Sequence, residues 1–347
     1  MIRMLWMLAM LAAVPVAGYL YQRVGGWRDR RRYIGHGEMV EIGAGQRLYL
    51  SRKGEGGPAV IFESGIAATS QNWAELQERV SKFACAVSYD RGGLGWSSES
   101  STERTPANIV RELRTLLERA GIEPPYLLVG HSFGGLVVRK FAAEHPEEVV
   151  GVVLLDAMRT EEWPPVNDAQ TAMVERGMRM AGMGVVTARF GLARLAITSL
   201  LCRSGRLSRM AGRATGVGGQ HVLDRVTCEV GKMPREVWPI VAAHWASPRF
   251  YRGLRGHLRG VTETVIEMHE AAEIVGMPVV LVTAGTAEPL SAEGLRRIGP
   301  AARQIVAEKS GHWVHLDEPD LVLEEIRGMI EGVRAGTSDE VEVLAGG

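Results

Sequence analysis

Cysteine is nearly absent: Cys85, Cys202 and Cys228 are the three thiols in 347 residues, far apart, with no CxxC pair and no histidine at metal-ligand spacing. That count argues against a disulfide framework and against a metal site. Cys85 lies in an apolar run and reads as a small buried hydrophobe, not a catalytic thiol. Net charge is missing too, because 40 Lys+Arg balance 40 Asp+Glu. Taken whole, the chain is neither a basic nucleic-acid binder nor an acidic tail protein. It has no Walker loop, no GxGxxG and no interleaving of basic with aromatic residues, so no nucleotide or nucleic-acid partner is expected. No internal repeat is detectable. What is present, 46% hydrophobic and 23% charged residues, suits a globular protein with ample material for a core. Length favours about two domains of roughly 150 residues, a rule that large α/β domains often break.

Met4 to Gln22 is a run of 19 residues without a charge, close to the roughly 20 that cross a bilayer core. Arg3 precedes it, and Arg23, Arg28, Arg30, Arg31 and Arg32 follow. Three readings compete: a signal peptide, a permanent single-pass anchor, and an apolar helix docked on the body. A signal peptide wants an apolar region of about 7 to 15 residues and a small-x-small cleavage site, for which Val16-Ala17-Gly18 is a poor match. Residues 1–32 are therefore expected to form an uncleaved membrane anchor with a basic flank. The flanking arginines would keep the following body on the cytoplasmic side if the positive-inside rule dominates, and the side of the membrane stays open.

From about residue 38, short apolar runs alternate with amphipathic segments, the mark of an α/β protein with a largely parallel sheet. Met39 to Ile42 and Arg47 to Arg52 read as an antiparallel hairpin at a sheet edge. Buried-strand runs follow at Ala59 to Glu63, Ala84 to Asp90, Tyr126 to Gly130, Val149 to Asp156, Pro278 to Ala284 and Arg303 to Ala307. Helices are expected around Asn72 to Lys82, from Pro106 to Ala120 with Thr105 as N-cap, from Gly134 to His145, and from Pro319 to Val333. The alternation fails over residues 157–276, a Met-rich segment that reads as mostly helical. The core is thus residues 33–156 and 277–335, with 336–347 a loose tail.

The stretch Leu127 to Gly135 runs from an apolar strand through Gly130-His131-Ser132-Phe133-Gly134 into a helix. A sharp strand-to-helix turn would hold Ser132 in strained geometry and expose its Oγ, while Gly130 and Gly134 relieve the crowding. A hydroxyl is a poor nucleophile at neutral pH and needs a neutral imidazole to take its proton. His312, in Ser310-Gly311-His312-Trp313 after the last strand, is the candidate base; His315 and His131 read as packing residues. A carboxylate should hold the imidazole in the right tautomer. Asp156 and Glu288 both follow strand ends, and either could serve. Oxyanion donors are expected from the N–H groups of Phe133 and Ile66, the latter in Glu63-Ser64-Gly65-Ile66.

These residues resemble the α/β-hydrolase superfamily over roughly 38 to 335, and Asp90-Arg91-Gly92-Gly93-Leu94-Gly95-Trp96-Ser97 looks like its Asp-x-Arg-Gly-x-Gly-x-Ser turn, mainly structural in the family. The resemblance implies a mostly parallel eight-stranded sheet flanked by helices, with a helical cap after the sixth strand, matching residues 157–276. It implies the chain order nucleophile, acid, histidine. Two departures stand out. Many members carry His-Gly where this chain has Ser64-Gly65, and Glu288 occupies the usual place of an Asp. With Ser at the nucleophile position, the activity of the branches that use Asp there, haloalkane dehalogenases and epoxide hydrolases, does not carry over.

The expected function is a serine hydrolase of carboxylic esters, without cofactor or metal, acting on a small-molecule ester admitted beneath the cap. Amide, thioester, lactone or carbon–carbon bond hydrolysis and hydroxynitrile lysis share the apparatus, as would a non-catalytic membrane-bound binding protein. Oligomeric state is not legible. The zero net charge is a cancellation: residues 1–32 hold six Arg and one Asp (+5), residues 176–225 nine Arg and one Asp (+8), leaving −13 for the rest. The second block reads first as a solvated helical face and second as a surface for anionic headgroups or for an acidic substrate.

Overall fold

The computed structural model describes residues 2–159, 168–201 and 229–345, and the side chains of 13–35, 37–159, 170–199 and 229–336. Cys202, Cys228, Met210, Asp224 and the arginines 203, 206, 209, 213 and 225 lie outside the described residues. Cys85 is half-buried against the core, and burial pushes its thiol pKa up.

Eight strands form one sheet: β1 (Glu38–Gly43), β2 (Gln46–Lys53), β3 (Ala59–Glu63), β4 (Ala86–Asp90), β5 (Tyr126–His131), β6 (Val149–Leu155), β7 (Val279–Ala284) and β8 (Ala302–Ala307). Their order is β1-β2-β4-β3-β5-β6-β7-β8, with β2 antiparallel to β1 and β4 and the other neighbours parallel. The central strands are apolar at nearly every position because both faces are covered. Leu128, Val152 and Leu281 pack with α3 (Pro106–Arg119) and α4 (Phe133–Glu144) on one face. Their neighbours Leu127, Val129, Val153 and Val280 pack with α2 (Ala74–Val80) and α12 (Pro319–Ala345) on the other. Thr105 caps α3 by accepting the Asn108 N–H, Pro106 opens it, and Ile109, Leu113, Leu116 and Leu117 form its buried stripe.

Residues from 336 on, expected as a loose tail, continue α12 as far as Ala345. The physical reason is that Thr337 to Ala345 contains no Gly or Pro to stop a helix.

Between β6 and β7 the described cap comprises α5 (Asp168–Arg189), α6 (Leu192–Leu201), α7 (Trp238–Trp245), α8 (Pro248–Arg259) and α9 (Val261–His269), with α10 (Ala292–Ile298) and α11 (Val314–Asp317) following in the core. The N-terminal segment is one helix, α1 (Ile2–Tyr33). Its later half lies on the cap through Gly18, Gln22, Gly25 and Asp29, spaced three or four apart and so on one face. A Cβ on Gly18 would sit 2.3 Å from the Phe190 carbonyl oxygen. Arg194 enters the interface, its Nε donating to Gln22 at 2.9 Å and its guanidinium pairing with Asp29 at 2.6 Å. Side chains of the expected anchor before Ala13 lie outside the described residues. Among the described residues no single helix is long and apolar enough to cross a membrane; the bent pair Gln170–Arg189 and Leu192–Ser199 meets that test by length and composition, with a 93° bend.

The sheet order creates the crevice for the site. β3 has β4 on one side and β5 on the other, so the loops leaving β3 and β5 diverge at their carboxyl ends. The register levels those ends: Glu63 pairs with Gly130, His131 with Leu155, and Ala284 with Ala307.

Candidate active site

Ser132 joins β5 to α4 with φ 53° and ψ −120°, a conformation that costs a non-glycine residue on the order of 1–3 kcal/mol. The surroundings impose it. The Ser132 N–H donates to the Leu155 carbonyl at 3.1 Å, and its own carbonyl accepts from the N–H groups of Gly135 and Met158 at 3.0 Å each. A Cβ on Gly134 would lie 2.4 Å from the Glu63 carbonyl oxygen, and one on Gly130 2.6 Å from Val138 Cγ2, so both positions require glycine. Phe133, the first residue of α4, has an N–H without an intrahelical acceptor, at the positive end of the helix dipole.

The loop after β3 faces this turn: a Cβ on Gly65 would lie 3.5 Å from Ser132 Cβ. Its shape is held from behind. Arg91 donates to Glu63 Oε1 at 3.1 Å, to the Ser64 carbonyl at 3.0 Å and to the Gly65 carbonyl, and the Tyr89 hydroxyl donates to the other Glu63 oxygen. Burial pushes the Glu63 carboxyl pKa up and the Arg91 guanidinium down, while their mutual attraction pulls both back. Arg91 thus ties down the two carbonyls that precede Ile66. In the sequence the Asp90 to Ser97 turn is mainly structural, and neither Glu63 nor Arg91 has an evident role in shaping the Ser64 to Ile66 loop. The available signal was a carboxylate ending a wholly apolar strand, which demands a buried partner.

His312 Nδ1 donates to Asp156 Oδ2 at 2.6 Å. The other Asp156 oxygen accepts the Ala284 N–H at 3.2 Å, and the Asp156 N–H donates to the Val282 carbonyl at 2.8 Å, fixing the residue at φ 39°. Burial pushes the Asp156 carboxyl up, but the His312 and Ala284 hydrogen bonds outweigh it and leave the pKa below the usual value. The His312 loop is pinned to the elbow by His131, whose Nε2 donates to the His312 carbonyl at 2.8 Å. Only the tautomer with the proton on Nε2 can make that bond. Burial, with the neighbouring His312, pushes the His131 pKa down to about 3, so it stays neutral. His315 is buried against Trp73, ring centroids 4.3 Å apart, and burial holds its pKa well below the ordinary histidine value.

Glu288 lies apart from this arrangement. Its side chain is exposed, and its backbone carbonyl accepts from Arg159. The structure thus brings Ser132, His312, Asp156, Phe133 and Ile66 to one edge of the sheet and leaves Glu288 outside. Among the described residues the one group with metal-ligand spacing, His145, Glu147 and Glu148, follows α4, and Arg114 already engages Glu148.

The fold is the α/β-hydrolase fold. A family model described as alpha/beta hydrolase fold matches residues 58–193, from β3 into the cap. The Bacillus subtilis (strain 168) protein YqjL is 37% identical over 105 residues, 30% of this chain and 42% of YqjL. An AB hydrolase superfamily protein of Gibberella zeae is 25% identical over 311 residues, 85% of this chain and 94% of that protein. Among solved structures, a thermophilic esterase from Thermogutta terrifontis superposes with a TM-score of 0.59 at 17% identity, covering 86% of this chain and 98% of that one. An epoxide hydrolase and a deformylase share the fold as well. At such identity the structural likeness is one of fold, and together these matches support the α/β-hydrolase superfamily.

Proposed function

We propose that this protein is a serine hydrolase that cleaves carboxylic esters through an acyl-enzyme. Ser132 Oγ attacks the ester carbonyl while His312 Nε2 takes its proton. Asp156 holds His312 Nδ1–H and favours the imidazolium that forms. The N–H groups of Ile66 and Phe133 donate to the oxyanion, where preorganised donors in a water-poor crevice act most strongly. His312 then protonates the leaving alcohol, and a water repeats the sequence to free the acid. The chemistry needs no cofactor. The observation that carries the reading is the 2.6 Å hydrogen bond from His312 to Asp156 beside a serine held at positive φ. Esters with apolar acyl groups suit the methionine-rich cap, and an esterase from Thermogutta terrifontis is among the proteins that share the fold.

The test is covalent. A fluorophosphonate probe should label the full chain once, at Ser132, and short p-nitrophenyl esters should block that labelling. A chain that takes up no probe and hydrolyses no ester would return the fold to a binding role.

The proposal extends to membrane attachment. Val14, Val16 and Leu20 of α1 and Met180, Met183 and Val186 of α5 are all more than half exposed, and clustered exposed apolar side chains mark contact surfaces. The full chain is expected to sediment with membranes from lysed cells. Recovery in the high-speed supernatant without detergent would overturn this part.

A further inference from the structure

A cavity of about 680 Å³ lies between α1, the α5 end of the cap, α7, α8 and the loop after β4, away from Ser132, His312 and Asp156. Arginines line it from four elements, α1, α5, α6 and α8, against two carboxylates, Asp29 and Glu99. Both acids are engaged: Asp29 pairs with Arg194 at 2.6 Å, and Glu99 accepts from Arg252 Nε at 2.9 Å. Arg23 and Arg30 of α1 and Arg189 of α5 have no carboxylate partner among the described residues.

The inner wall is short of acceptors. Part-buried Arg249 donates to the Gly95 carbonyl at 2.6 Å, and its Nε meets no acceptor. Burial, then the nearby Arg30 charge, pushes the Arg249 guanidinium pKa down to about 10. Trp96 Nε1 and both ring nitrogens of His244 are also unpartnered, although these side chains are only 3% and 2% exposed. Burial pushes the His244 pKa down to about 4, so this neutral ring carries one donor and one acceptor, and since nearly all buried polar groups in native proteins are satisfied, the unpartnered donors here call for an acceptor. A guanidinium enclosed beside another cation likewise calls for a negative charge.

We infer that this cavity binds a phosphate-type oxyanion, free, on a small molecule, or as an anionic lipid headgroup. Guanidinium groups come to the cavity from α1, α5, α6 and α8, which suits an anion with three or more oxygens better than a carboxylate with two. The volume leaves room for the group that carries the phosphate. The inference does not depend on the ester chemistry proposed for Ser132.

The experiment uses the full chain in a non-ionic detergent. Inorganic phosphate should raise its Tm saturably, beyond sodium chloride at equal ionic strength. Arg30→Gln and Arg23→Gln, both exposed on α1 and lining the cavity, should each weaken the apparent phosphate affinity about tenfold or more, with esterase activity unchanged. A second arm compares phosphatidylcholine vesicles with and without phosphatidic acid. Preference for phosphatidic acid that Arg30→Gln abolishes assigns a lipid headgroup. Phosphate saturation with no such preference assigns a soluble phosphate. Equal Tm shifts from phosphate and chloride, or phosphate affinity unchanged in both variants, would overturn the inference.

Discussion

Ser132→Ala is expected to lose ester turnover by about a millionfold in kcat, the scale at which removal of a nucleophile disables the whole unit. Substrate affinity should change far less, because the proposed oxyanion donors Ile66 and Phe133 and the cap remain. The backbone makes a companion test possible. At φ 53° and ψ −120° the serine occupies a region that glycine enters without strain. Ser132→Gly should therefore lose the same activity yet raise the urea midpoint, since the strain disappears with the Cβ. Side-by-side p-nitrophenyl ester kinetics and urea titrations read both effects. Equal activity in wild type and Ser132→Ala would place the chemistry elsewhere.

Asp156→Asn is expected to lower kcat by about ten-thousandfold, with Glu288→Gln close to wild type. The carboxylate both orients His312 and favours the cation formed during the reaction. An amide can donate to His312 Nδ1, which moves the ring proton to Nε2, where a base must have none. Glu288 offers no such contact, its exposed side chain lying outside the Ser132–His312–Asp156 edge. The measurement is kcat for both variants with Tm as a folding control. The reverse ranking would transfer the orienting role to Glu288.

The sequence alone does not separate the two carboxylates. Asp156 directly follows β6, and Glu288 lies four residues beyond β7, neighbours in one parallel sheet. Both therefore project from the same edge, and chain order admits both. What separates them is the path of each loop. Asp156 turns inward at φ 39° with its N–H on Val282 and a carboxyl oxygen on the Ala284 N–H. After β7 the Gly285 N–H is taken by the Ala307 carbonyl and the Ala287 N–H by the Ala284 carbonyl, which carries Glu288 out to solvent. The two Asp156 bonds join strands more than 100 residues apart in the chain, and no local pattern encodes them.

The N-terminal helix divides in a similar way. Its charge-free run is plain in the sequence, but the docking face is not, because Gly18, Gln22, Gly25 and Asp29 carry no hydrophobic signal. Small residues there permit close backbone approach to Phe190, and one buried Arg194 supplies the specificity.

By itself the sequence determined the eight strands, the cap position, the strained serine turn and the histidine loop. Each is written in local terms: apolar runs of strand length, glycines two residues either side of Ser132, a Gly-His after the last strand. Tertiary structure alone decided which carboxylate meets His312, that Arg91 and Glu63 shape the Ser64 to Ile66 loop, and that Arg23 and Arg30 of α1 line one cavity with Arg189 and Arg194 of the cap. Those outcomes depend on sheet order and loop direction, which long-range packing sets and short-range periodicity does not record.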